Sequence, residues 1–280
     1  MGEKMNSVKM QPNMRVIAIT SGKGGVGKTN IVANLGFALS QLGERVLILD
    51  ADLGLGNLDI LLGLAPKYNL SHIITGSKTI AEVTMQGPGG INILPASSGI
   101  QELTELTHEQ KANILNNLDS LTDFIDTLLI DTAAGISSNV LYFNAAAQDI
   151  LLVVSPEPTS ITDAYALIKV LSLNYSTKNF KMLVNMAKNS DEAYDVFKQL
   201  SQVTDRFLDV EIEYIGHVFF DENITKCVKL QKVVSELYPN TRASKCFLSL
   251  ARKISNSPPP YYPEGESNFF WKRLLRNKSD

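Results

Sequence analysis

The sequence is poor in cysteine: among 280 residues only Cys227 and Cys246 occur, and no C-x-x-C is formed. That scarcity argues against a disulfide framework and for two small core hydrophobes in a chain suited to a reducing cytosol. Neither sign of charge dominates, since 26 basic against 29 acidic residues leave a formal net charge of -3. No global basic field therefore points to DNA. No apolar run reaches membrane-spanning length. The opening MGEKMNSVKMQPN has no hydrophobic centre of the kind a signal peptide needs. His72, His108 and His217 stand alone, without H-E-x-x-H or an acid at ligand spacing, so a histidine-built metal site is not indicated. There is no G-x-S-x-G elbow. Length leaves room for one or two domains with a sizeable core.

What is present is alternation of two kinds of segment. Short apolar runs at Arg15–Thr20, Arg45–Asp50, Ile91–Leu94, Thr127–Asp131, Ile150–Val154, Lys181–Asn185 and Tyr214–Val218 read as strands. Runs such as TLLIDT and ILLVVS are apolar on both faces, the mark of strands covered on both sides of a parallel sheet. Helical spacing fills the gaps, at Lys28–Gly43, Ile161–Leu173, Asp191–Gln202 and Ile224–Leu237. The expected fold is a doubly wound α/β domain, mostly parallel and flanked by helices, with its site at the C-terminal strand edge.

The first strand runs into SGKGGVGKTN, in which Gly22-x-x-x-x-Gly27-Lys28-Thr29 fits G-x-x-x-x-G-K-[ST]. Glycines let backbone N–H groups of Gly22, Lys23, Gly24, Gly25, Val26, Gly27, Lys28, Thr29 and Asn30 curl around phosphate oxygens. Lys28 is expected near the β- and γ-phosphates and the Thr29 hydroxyl at Mg²⁺. Strand, glycine loop and helix together put an anion at a helix N-terminus. Two further strands end in acid: RVLILDADLGLGNLD carries Asp50 and Asp52, and TLLIDTAAG carries Asp131. A strand-end carboxylate is how an acid reaches a magnesium shell in such sites; the ordinary alternative is a turn or a helix cap, and that is the expectation for Asp59. Asp50 could also be misread as the ribose-binding acid of a dinucleotide fold. The Lys-Thr pair and the lack of G-x-G-x-x-G at the first turn argue instead for a triphosphate with magnesium.

KGGVGKT, with Lys23 as well as Lys28, resembles the deviant Walker A motif of the MinD/ParA family of P-loop ATPases. The resemblance implies ATP and ADP as ligands, Mg²⁺ as cofactor, and a homodimer that sandwiches ATP. In that family the first lysine crosses to the partner's nucleotide, so Lys23 is implied as a cation supplied in trans. Asp52 matches the carboxylate that orients the attacking water, and Asp50 and Asp131 the acids near magnesium. Gly135 matches the switch that senses the γ-phosphate, Asn185 in LVNMAK the asparagine that reads adenine, and Glu157 in SPEPTS a position at the dimer surface. Asp221 is retained at the adenine end, whereas Phe219 in GHVFFDEN stands where relatives usually carry proline.

DADLGLGNLDILLGL, DTAAGIS, EPTSITDAYALIK and VTDRFLDV together resemble the flagellar-number regulators of bacteria, the FleN/FlhG group. The similarity runs from about Met14 to the end of the chain. The first thirteen residues lack the glutamine-containing activator motif that some relatives use on the flagellar GTPase FlhF. Control of a flagellar transcription activator is therefore the expected output, with FlhF a further candidate partner and direct DNA binding not expected. Two readings from the same fold compete, a cell-division or DNA-partition ATPase and a metal-cluster carrier. A nucleotide-locked scaffold without turnover is a third.

Composition changes at Ser255. The organisation read from it is an N-terminal segment 1–13, an ATPase domain 14–254, a Pro/Ser/Gly-rich linker 255–268 and a tail 269–280. On a helical wheel Phe270, Trp271, Leu274 and Leu275 share one side, with Lys272, Arg273 and Arg276 on the other. Such a short C-terminal amphipathic helix would fold only on a surface, either the inner membrane, as in MinD-like proteins, or the protein's own groove. The expected location is cytoplasmic, with a peripheral pool at the inner membrane or cell pole.

Overall fold

A computed structural model of the chain describes residues 14–96, 105–121 and 123–258; the tail from Phe270 to Arg276 lies outside them. The chain begins β1 (Arg15–Ser21), α1 (Lys28–Gln41), β2 (Val46–Ala51), α2 (Leu58–Leu61), α3 (Leu70–Ile74), α4 (Ile80–Val83), β3 (Met85–Gln86) and β4 (Asn92–Leu94). It continues through α5 (His108–Asp119), β5 (Thr127–Ala134), α6 (Ser138–Ala146), β6 (Asp149–Val154), α7 (Pro158–Tyr175) and β7 (Asn179–Ala187). It closes with α8 (Ser190–Phe207), β8 (Glu211–Phe219), α9 (Glu222–Lys229), α10 (Val234–Leu237) and α11 (Arg242–Ser255). The strands form one eight-stranded sheet in the order β3-β4-β2-β5-β1-β6-β7-β8. Every expected strand is present, and all pairs are parallel except β3 with β4.

The apolar runs are buried on both faces, as their lack of alternation predicts. Ile17, Ile19, Ile48 and Leu129 point to the face covered by α1 and α11. Their chain neighbours Val16, Ala18, Leu47, Leu49, Leu128 and Ile130 point to the face covered by α3 to α6. Further along, Ile150, Leu152, Met182 and Val184 pack under α7 and α8. Period-two alternation then settles where the strand-end acids go. Asp50 follows Ile48 by two and Asp131 follows Leu129 by two, so both carboxylates emerge on the α1 side. They are register partners in the β2/β5 ladder.

Two local expectations need correction. The helix read over Ile224–Leu237 is broken into α9 and α10. Lys232 N–H bonds Cys227 O at 3.0 Å and Gln231 N–H bonds Val228 O at 3.1 Å, the paired bonds that end a helix through a left-handed residue. That residue is Gln231, at φ 56°; glycine is the usual occupant, so no sequence signal marked the stop. Asp59, expected as a cap, lies one residue inside α2, whose N-cap is Asn57.

An unanticipated polar anchor joins the ends of the domain. Arg15 is 8% exposed. Its guanidinium donates to the carbonyl of Ile254 and, at 2.7 Å, to that of Ser257. It thereby adds a charged donor to Ile254 O, which also accepts Ser257 N–H at 3.1 Å, and supplies one to Ser257 O just past α11. Arg15→Met keeps the aliphatic stem but removes both donations, and is expected to cost about 3 kcal/mol. Urea unfolding, with an unchanged m-value, checks this.

Candidate nucleotide-binding site

The loop between β1 and α1 opens from the centre of the sheet, with β5 on one side and β6 on the other. Its conformation explains two of its glycines. Gly27 is the N-cap of α1 at φ 83°, and no side chain caps that helix. By contrast α5, α6, α8, α9 and α11 are each capped by Thr107, Ser137, Asn189, Asp221 and Thr241. The first amides of α1 are thus left for an anion. At Gly22 an added Cβ would lie 2.2 Å from the backbone carbonyl of Asp163 in α7, so close approach of loop and helix requires glycine.

Below the loop lies a charge imbalance. Lys28 Nζ meets Asp131 Oδ1 at 2.6 Å, with the side chains only 8% and 1% exposed. Asp50, equally buried, has no cationic partner among the described residues; its oxygens accept N–H groups from Asp52 at 3.1 Å and Leu58 at 3.3 Å. Burial first, then the charge of Asp131, pushes the Asp50 carboxyl up to about 8. Asp131 is also raised by burial, opposed by the Lys28 charge and by hydrogen bonds from Lys28 and Thr29. Lys28 is thus committed to one of two adjacent buried carboxylates, and burial beside Asp131 favours the protonated form of the other. A hard divalent ion is the other way to neutralise it. Thr29, Asp50 and Asp131 fit Mg²⁺, which is usually held by one or two carboxylates together with substrate phosphates. Asp52 lies beyond the pair, half-buried, with Oδ1 accepting Leu55 N–H at 3.2 Å.

Lys23 is elsewhere. Its ammonium is paired with Glu157, the N-cap residue of α7, and donates to Thr159 Oγ1 at 2.8 Å. The two charged side chains are 34% and 59% exposed. The two lysines of the loop are therefore held by different partners, one in the core and one at the surface. Thr159 was not read from the sequence, and nothing but its distance from Glu157 could have suggested it.

On the α1 side the loop borders a cleft, open to solvent and lined by Gly27, Ile31, Asn185, Phe219, Asp221 and Phe247 among others. Asn185 donates from Nδ2 to Val26 O at 2.8 Å, so β7 braces the phosphate loop directly. Phe219 does not close the cleft. Its ring lies under the Arg242 guanidinium at 3.9 Å and against His217 at 4.5 Å. Asp221 caps α9, accepting Asn223 N–H at 2.9 Å. Gly135, at φ 91°, ends β5 with its N–H on Ser21 O at 2.9 Å, beside the phosphate loop. Apolar walls next to an anion cradle suit a nucleoside base.

A glycine loop on a central strand, a buried lysine and paired strand-end aspartates define a P-loop nucleoside triphosphatase. The family model described as "ParA: NUBPL iron-transfer P-loop NTPase" matches residues 13–255. The chain belongs to this ParA/MinD family of P-loop ATPases. It is 47% identical over 264 residues to the antiactivator FleN of Pseudomonas aeruginosa, covering 94% of each chain. It is 31% identical over 269 residues to the flagellum site-determining protein YlxH of Helicobacter pylori, covering 94% of this chain and 90% of that one. The MinD cell division protein in its complex with MinC from Aquifex aeolicus superposes with a TM-score of 0.68 at 29% identity, over 89% of this chain and 99% of that one. Among the described residues no cluster of three or more His, Cys, Asp or Glu could hold a metal ion. Burial pushes both thiols up. No helix among those residues is long and apolar enough to cross a membrane.

The raised carboxyl of Asp50 has a measurable signature. A raised carboxyl stabilises the fold fully below its ordinary value and loses that contribution as pH climbs towards about 8. Without nucleotide or magnesium, the melting temperature is expected to fall from about pH 6 to about pH 8.5, and Asp50→Asn to flatten that fall. Scanning calorimetry across that range checks both.

Proposed function

We propose that this chain is an ATP-driven dimerising switch that regulates flagellar number. In this reading the ATP-bound dimer restrains a flagellar transcription activator and associates reversibly with the inner membrane through the 269–280 tail. The 47% identity to an antiactivator supports the biological output. The observation that carries the switch is the separation of the two lysines. Lys28 is committed to its own core site, whereas Lys23 is an accessible cation on the rim, tied only to Glu157 and Thr159.

The mechanism follows from those positions. Lys28 and the free amides of α1 hold the triphosphate. Magnesium held by Thr29, Asp50 and Asp131 would neutralise phosphate charge, and Asp50 would give up its proton as it binds. Asp52 orients the attacking water from the mouth of the site. In a closed dimer Lys23 exchanges Glu157 and Thr159 for the partner's phosphates, so charge stabilisation arrives only on pairing. Gly135 and Glu157 flank that contact, and Asn185 and Asp221 border the base. Turnover resets the dimer, and the conformational state is the output. The tail adds weak lipid affinity per copy, about 1 kcal/mol per basic residue near anionic lipid, which pairing doubles in number of anchors.

Light scattering with ADP, and with ATP plus Mg²⁺, tests the switch. Wild type is expected to dimerise with ATP alone, Asp52→Ala to accumulate as dimer, and Lys23→Ala to lose turnover by about 10²–10³-fold. Persistent monomers that still hydrolyse ATP would overturn it. The trapped Asp52→Ala dimer should retain a flagellar transcription activator and float with anionic vesicles. Deletion of 269–280 should abolish only the flotation. Retention of DNA instead would favour a partition role.

A further inference from the structure

The left-handed stop between α9 and α10 holds a residue whose side chain does more than end a helix. A left-handed conformation costs a non-glycine residue about 1–2 kcal/mol, and Gln231 adopts it at φ 56°. From that position its Nε2 donates to the carbonyl of Ile60 in α2 at 2.9 Å. Its Cβ lies against Gly63, at φ 65°, where an added Cβ would approach within 3.1 Å. The other end of the same short connection is fixed to the nucleotide helix. Asn34, 1% exposed in α1, accepts Val234 N–H at 2.9 Å and donates to Asn30 O at 2.9 Å. Val233 and Val234 share a core cluster with Leu58 and Leu62. The connection is thus a strap between α1 and α2.

What α2 controls gives the strap its meaning. The N-terminus of α2 is held by Asp50 through Leu58 N–H, and its C-terminal carbonyl by Gln231. Between β2 and α2 runs the loop that carries Asp52. We propose that Gln231 is a positioning residue for hydrolysis, its amide fixing α2 and thereby the placement of Asp52 relative to α1. This rests on the reading that Asp52 orients the attacking water.

Gln231 is exposed, so substitution leaves the core intact. Gln231→Met keeps length and backbone demand but removes the donor; Gln231→Lys keeps a donor. The expected result is about a five-fold loss of kcat for Gln231→Met and near wild-type kcat for Gln231→Lys. The Kd for a fluorescent methylanthraniloyl-ADP, and the ATP-induced dimer, should be unchanged in both. An equal loss in both variants, or a loss of nucleotide affinity matching the loss of rate, would overturn the inference. So would unchanged kcat in Gln231→Met while Asp52→Ala loses turnover. If Asp52→Ala itself hydrolyses normally, the water-orienting reading fails, and the inference falls with it.

Discussion

The buried pairing of Lys28 with Asp131, set against the unpaired carboxyl of Asp50, is the constraint around which the site is arranged. Burying two carboxylates with one ammonium leaves a charge that a low-dielectric interior does not tolerate. The protein meets it with two backbone amides, a carboxyl raised by burial and a position at the mouth of an anion cradle. Strand order puts the acids side by side, alternation turns both toward α1, and the uncapped start of α1 completes the site. One end offers backbone amides and the other carboxylates. A magnesium–nucleotide complex satisfies both together, and neither component does so alone.

Much of this was legible in the sequence because it depends on local pattern. Runs without alternation reported a sheet covered on both faces, and a strand ending in aspartate reported where the carboxylate points. The glycine spacing reported the loop. What was not legible depends on contacts between distant segments. The partner of Lys23 is Thr159 as well as Glu157, more than a hundred residues away. Arg15 was read only as the first residue of a strand, and its burial against the end of α11 had no local signal. The break at Gln231 was missed because a glutamine occupies a conformation whose usual signal is glycine. Phe219, which stands where relatives usually carry proline, stacks with Arg242 and forms a wall of an open cleft.

The two lysines of one loop illustrate how burial assigns role. A cation enclosed with a carboxylate is a fixed part of its own site. A cation paired at the surface with an exposed acid is held by a contact worth about 1 kcal/mol or less, weak enough to be exchanged for phosphate oxygens. Five residues of sequence thus separate a permanent charge from a transferable one.

The anchor at Arg15 has a geometric corollary. Arg15 opens the strand whose other end becomes the phosphate loop, and it clamps one carbonyl in the last turn of α11 and one just beyond it. The chain therefore leaves the domain at the rim of the sheet opposite the nucleotide, separated by the height of a seven-residue strand, about 20 Å. The end of α11 thus stands clear of the phosphate loop, so the exit of the described chain and the nucleotide site occupy opposite rims of one sheet.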